Sequence, residues 1–180
     1  MTSPAFIPTR PIVLVGLMGA GKSTIGRRLA KRLGLGFVDS DDEIETAAAH
    51  SIAEIFERFG EAGFRDGERR VIARLIEGAP KVIATGGGAF MNDATRALML
   101  DRCTVVWLDA DVATLAERVS RRATRPLLKD GDPLLLLRDL AAKRNRIYAE
   151  AHLRIPSQAA PHERAVDRIV AALAGWTAAA

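Results

Sequence analysis

Gly16-Leu17-Met18-Gly19-Ala20-Gly21-Lys22-Ser23 fits the pattern G-x-x-x-x-G-K-[ST], in which a glycine turn carries the chain from a strand into a helix around a phosphate chain. The flanks agree with that context. Ile12-Val13-Leu14-Val15 before the turn is a short β-branched apolar run, and Ile25, Leu29 and Leu33 after it recur at helical spacing. Gly16, Gly19 and Gly21 let backbone N–H groups face an anion, to which the following helix adds the positive end of its dipole. Lys22 then brings a point charge to the β- and γ-phosphates, and Ser23 a hydroxyl ligand for Mg²⁺.

Outward from this loop the chain alternates strands and helices, which implies a parallel sheet covered on both faces. Phe37-Val38 forms a second strand that runs into Asp39-Ser40-Asp41-Asp42, and acidic residues at a strand's carboxyl end lie on the edge where ligands bind. Ser51-Ile52-Ala53-Glu54 is a capping box, and Gly60 with Gly63 flanks a break before a helix carrying Phe64, Arg65, Val71, Ile72 and Leu75. Lys81-Val82-Ile83-Ala84 is a third strand leading into Thr85-Gly86-Gly87-Gly88, a bare stretch of backbone able to face a ligand. Asn92 caps a further helix, and Val105 to Leu108 forms a fourth strand ending at Asp109. Asp132-Pro133 opens a helix with Leu137, Leu140, Arg144 and Tyr148 on one stripe; a weaker strand at Leu153 to Ile155 and an amphipathic helix ending near Trp176 complete the chain.

The 180 residues, 48% of them hydrophobic, suffice for one substantial core, so a single domain over 1–180 is expected. A net charge of +4 spread over scattered arginines supports a nucleic-acid partner only weakly, and an anionic small molecule explains it as well; no nucleic acid is expected as partner. No run approaches the roughly 18 apolar residues of a membrane span, and the first ten residues lack a secretory pattern. Residues 1–9 and 177–180 are expected to be loosely ordered ends. A lone Cys103 in an apolar context is a core filler and points to a cytoplasmic location; with no long exposed apolar face, a monomer is expected. His50, His152 and His162 show no metal spacing, and His50 and His162 are expected at the surface.

Asp39 and Asp41, two apart on an extended strand end, should point the same way, one to the metal beside Ser23 and the other to a substrate hydroxyl. Asp109, after four apolar residues, is a rival metal partner. Arg144 interrupts an apolar stripe and Arg65 opens a helix. Each needs an anionic or carbonyl partner, and a guanidinium suits a bidentate carboxylate. Arg121 to Lys129 is a cationic stretch with no clean period, as in a loop that closes over transferring phosphates.

Taken together and in this order, GLMGAGKST, FVDSD, GFRDGE, ATGGG, RPLL and KRNRIY resemble the shikimate kinases, a family of small phosphate-loop kinases, from about Pro11 to Trp176. The resemblance implies a three-layer α/β fold with a five-stranded parallel sheet of order 2-3-1-4-5, a substrate-binding insert near 42–70 and a lid near 121–131. It implies transfer of phosphate from ATP, with Mg²⁺, to the 3-hydroxyl of shikimate. Lys22, Asp41 and Arg125 would be catalytic. Gly19, Ala20, Gly21, Lys22, Ser23, Thr24, Arg118 and Arg125 would hold the nucleotide, Arg118 against adenine. Asp41, Arg65, Gly86, Gly87, Gly88 and Arg144 would hold shikimate, and Ser23 with Asp39 the metal. Members often carry proline where Arg146 stands here, so this helix should be more regular. The alternatives are another small-molecule kinase, such as one acting on gluconate, or a nucleotide-binding protein without the reaction; no N-K-x-D is present to select guanine.

Overall fold

A computed structural model describes residues 7–121, 131–157 and 161–177. The expected closing loop, with Arg125 and most of 121–131, lies outside the described residues. Five parallel strands, β1 (Ile12–Val15), β2 (Gly36–Asp39), β3 (Lys81–Ala84), β4 (Thr104–Ala110) and β5 (Leu153–Ser157), form one sheet of order β2-β3-β1-β4-β5. Central β1 is hydrogen-bonded on both sides, to β3 and β4, and all four of its residues are buried, as a strand covered on both faces must be.

The helices are α1 (Lys22–Leu33), α2 (Ser40–Ala48), α3 (Ile52–Ile76), α4 (Asp93–Arg102), α5 (Val112–Arg121), α6 (Pro133–Tyr148) and α7 (His162–Thr177), with a 3₁₀ turn at Ala89–Met91. Local signals set their ends. The Ser51–Glu54 capping box is formed in both directions, a device worth about 1 kcal/mol. Asn92 and Asp111 accept from the N–H groups of Thr95 and Thr114, and Asp132 caps α6 with Pro133 at its first position. Ile25 and Leu29 of α1 are fully buried, each contributing about 1.5–3 kcal/mol of apolar burial.

Three expectations change. The break in the first long helix is at Gly60 alone, where φ is 69° and ψ −177°; helical geometry resumes through Gly63. His50 and His162 are half-buried, His50 against Arg58 and His162 close to Gly21 of the glycine loop. Near the ends, Pro8 is buried and α7 runs on to Thr177. In α6 the helix passes unbroken through Arg146, which is exposed. No helix among the described residues is long and apolar enough to cross a membrane.

His152 precedes β5 and fastens the sheet: its Nδ1 accepts the main-chain N–H of Val105 at 3.0 Å, and its ring lies 5.1 Å from that of Trp176. Burial first, and then the charge of Arg10, hold its pKa below the ordinary 6.5, against a hydrogen bond to Leu100 that acts the other way. The unfolded chain therefore takes up this proton more readily than the native one, so stability rises with pH across this range. The contribution is complete above about 6.5 and fades as pH falls from there toward the lower native pKa. Thermal unfolding should show this slope in the parent and a flatter one in His152→Gln; equal slopes would remove His152 as its source.

Candidate active site

The chemistry-bearing residues gather at the carboxyl ends of β1, β2 and β3, beside the point where the sheet order diverges on either side of β1. The turn from β1 into α1 wraps tightly, with Gly21 at φ 89° as the residue preceding α1, a backbone shape that side chains resist. Lys22 opens α1 and folds back over the loop, donating to the carbonyls of Gly16 (2.8 Å) and Leu17 (3.0 Å). Ser23 Oγ donates to Asp39 Oδ2 at 2.5 Å. Thr85, buried at the end of β3, donates both its N–H and its hydroxyl to Leu14 O, which draws the glycine triad against the phosphate loop.

Asp39 and Asp41 do face one cup, but not by strand alternation. β2 ends at Asp39, and Asp41 already lies in the first turn of α2. Asp39 is the cap: its Oδ1 accepts the N–H of Asp41 at 3.0 Å while its Oδ2 holds Ser23, so one carboxylate both starts α2 and reaches the phosphate loop. The tight turn, and not the two-residue period of a strand, aims Asp41. Asp109 is engaged elsewhere. Its Oδ2 accepts Nε (2.8 Å) and Nη2 (2.6 Å) of Arg154, whose guanidinium lies 4.9 Å over Trp107.

A cup of about 220 Å³ is lined by Gly21, Lys22, Ser23, Asp39, Asp41 and Gly86, among others. The acidic and basic groups crowd the triad so closely that side chains there would collide. A Cβ on Gly86 would sit 2.8 Å from Asp41 Oδ1 and 3.4 Å from Glu68 Oε1, and one on Gly88 would sit 2.3 Å from Arg65 Nη2. Arg144 Nη1 donates to Gly87 O at 3.2 Å, and the hydroxyl of Tyr148 donates to the same oxygen. Asp41 of α2, Arg65 of α3 and Arg144 of the distant α6 thus converge on three consecutive glycines next to Lys22. Arg118 reaches the other flank of the loop, donating to Gly19 O at 3.2 Å. A larger groove of about 550 Å³ between α2 and α3, walled by Ile44, Ile55, Phe59 and Phe64, is lined by none of Asp41, Arg65, Arg118 and Arg144.

Three contributors were not singled out from sequence. Glu68 is 2% exposed on the buried face of α3; its Oε2 accepts from Arg65 at 2.7 Å, and its Oε1 is a buried oxygen without a hydrogen-bond partner. Burial raises its pKa from the ordinary glutamate value, with Arg65 opposing the rise and Asp41's charge adding to it. The signal was present: Phe64, Glu68, Val71, Ile72 and Leu75 form one helical stripe, with an acid where an apolar residue belongs. Ser40, fully buried, accepts the N–H of Gly86 at 3.3 Å, so that amide, expected to face a ligand, is already engaged. Tyr148 was read only as part of a stripe; burial pushes its phenol up to about 12, so it stays a donor to Gly87 O.

For Mg²⁺ the test is the donor set. Ser23 Oγ and Asp39 Oδ2 are two hard oxygens in contact, and Mg²⁺ is commonly held by one or two protein oxygens, substrate phosphates and water. Among the described residues no group of three or more His, Cys, Asp or Glu could hold a metal by itself, so a metal held by this pair would need phosphate oxygens to complete its shell. Asp39→Asn should therefore sharply raise the Mg²⁺ concentration needed for activity, whereas Asp109→Asn should leave it unchanged; the reverse would return Asp109 to the metal.

A family model described as shikimate kinase matches residues 18–174. A shikimate kinase of Rhodopseudomonas palustris is 54% identical over 176 residues, covering 98% of this chain and 87% of its own length. One from Zymomonas mobilis is also 54% identical, over 96% of this chain and 98% of its own. Among solved structures, a shikimate kinase from Acinetobacter baumannii in complex with shikimate superposes with a TM-score of 0.88 at 40% identity, covering 95% of this chain and 96% of that one.

Proposed function

This chain belongs to the shikimate kinase family, and we propose that it transfers the γ-phosphoryl group of ATP to the 3-hydroxyl of shikimate, a step toward the aromatic amino acids. The convergence of Asp41, Arg65 and Arg144 on Gly86 to Gly88 beside Lys22 carries this reading, because it offers one acid to a hydroxyl and two guanidiniums to a carboxylate within reach of a phosphate loop. A nucleoside monophosphate would call for more cations around its acceptor phosphate.

In this reading Arg65 and Arg144 grip the shikimate carboxylate with the glycine triad, and Asp41 orients the attacking hydroxyl and takes its proton late. Transfer of a phosphoryl group asks mainly for positioning and for stabilisation of spread negative charge. Gly19 to Thr24 cradle the phosphates, and Lys22 leaves the carbonyls of Gly16 and Leu17 for the β- and γ-oxygens. Arg125 is added as a second cation on the family resemblance alone, and Arg118, at the loop's flank, packs on adenine. Ser23 and Asp39 would hold Mg²⁺, which neutralises charge on the phosphates.

A coupled assay of ADP release with ATP and shikimate, run beside gluconate and nucleoside monophosphates, tests the acceptor. Turnover with shikimate alone is expected; preference for another acceptor would replace this reading. Cys103, the sole cysteine and fully buried with its thiol pushed up to about 12, suits a reducing cytoplasm. The proposed state is a monomer, and a dimer mass by light scattering would overturn that.

A further inference from the structure

Arg96 lies on α4, outside the cup, with 16% of its side chain exposed. Its guanidinium joins separate parts of the chain. Nη1 donates to the carbonyls of Phe90 (3.2 Å) and Met91 (3.4 Å), Nε to Glu150 Oε2 (3.1 Å) and Nη2 to Asp93 Oδ1 (2.8 Å). Asp93 is 92% exposed, so that last arm is screened and weak. The arms to Phe90, Met91 and Glu150 are the ones that cross between elements.

Phe90 and Met91 form the 3₁₀ turn that follows the glycine triad, and Glu150 stands two residues past the end of α6. At the other end of the same two segments, Arg144 and Tyr148 of α6 already hold Gly87 O. The contacts therefore close a ring, from Gly87 through α6 to Glu150, across Arg96 to Phe90, and back along the backbone to Gly88. Arg96 thus adds a second hydrogen-bonded link between the turn and the end of α6, beyond the one at Gly87 O. Phe90, fully buried and stacked 6.3 Å from Tyr148, fills the ring's interior.

We propose that Arg96 is a positioning residue for the acidic acceptor: by strapping the 3₁₀ turn to the end of α6, it holds Arg144 and Gly88, against which Arg65 lies, at the spacing that grips a carboxylate. This rests on the carboxylate clamp of the preceding section. Because a misplacement of about 1 Å in a positioning group can cost as much as 10²-fold, Arg96→Ala should raise the shikimate KM on the order of tenfold, with the ATP KM within about twofold of the parent. Arg96→Lys, which keeps the charge but not the fork that spans carbonyl and carboxylate, should lie between the two. Glu150→Gln, which keeps shape and an acceptor oxygen, should show a smaller rise.

Steady-state kinetics with shikimate and with ATP varied separately, together with thermal unfolding, would test this in Arg96→Ala, Arg96→Lys, Glu150→Gln and Arg144→Ala. A lowered Tm with unchanged shikimate KM in Arg96→Ala makes Arg96 a structural fastener and overturns the inference. If Arg96→Ala does not fold, unchanged shikimate KM in both Arg96→Lys and Glu150→Gln overturns it equally. An unchanged shikimate KM in Arg144→Ala sinks the clamp itself; a raised one there beside an unchanged one in Arg96→Ala sinks only the role of Arg96.

Discussion

Asp41→Asn is expected to lower kcat by about 10²- to 10⁴-fold, the range supplied by a positioned group that takes a proton in the transition state. Asparagine keeps the size of the side chain and one carbonyl oxygen, so the acceptor hydroxyl still finds a hydrogen-bond partner, but not one that takes its proton. The fold should tolerate the change. Asp39, not Asp41, caps α2, and the negative charge lost from the first turn is worth about 0.3–1 kcal/mol. Thermal unfolding measured beside kcat separates the two effects, and turnover close to that of the parent in a folded Asp41→Asn protein would remove Asp41 from the acceptor site. Its place beside Gly86 makes the substitution informative, because Oδ1 lies so close to Gly86 that a Cβ there would sit 2.8 Å from it.

Arg144→Ala should raise the shikimate KM by at least about 30-fold, since losing one partner of a desolvated charge pair costs about 2 to 5 kcal/mol. The ATP KM should stay near the parent value, as the hydrogen bond of Arg144 goes to Gly87 O in the glycine triad. Its removal leaves Tyr148 still donating to Gly87 O, so the triad keeps one anchor and the protein should fold. Arg65→Ala is the less clean probe. It would leave Glu68, 2% exposed and with one oxygen already unpartnered, as a buried acid without its cation, which costs about 3 to 5 kcal/mol in stability. Kinetics and unfolding together read Arg144 as binding and Arg65 as a mixture; an unchanged shikimate KM in Arg144→Ala would dismiss the carboxylate grip.

Much of this molecule is written in short-range patterns. The strand, glycine turn and helix around Gly16 to Ser23 could be read because each signal lies within a short contiguous stretch of chain, and so could the capping box at Ser51 and the Asp132-Pro133 helix start. Arg144 was conspicuous because a cation on an apolar stripe demands an anionic or carbonyl partner, and in the structure that partner is the carbonyl of Gly87. The same test on α3 would have found Glu68.

From sequence alone came the elements, their order and the phosphate loop, since backbone preferences and hydrophobic periods act over a few residues. Only the tertiary structure decided that Asp41 is aimed by a capped turn, that Asp109 belongs to Arg154, that Ser40 takes the amide of Gly86, and that Arg96 bridges the 3₁₀ turn after the triad to Glu150 just past α6. Those partners stand 45 to 54 residues apart for three of the four, and what brings them together is parallel strand register and close packing, which a linear pattern does not encode.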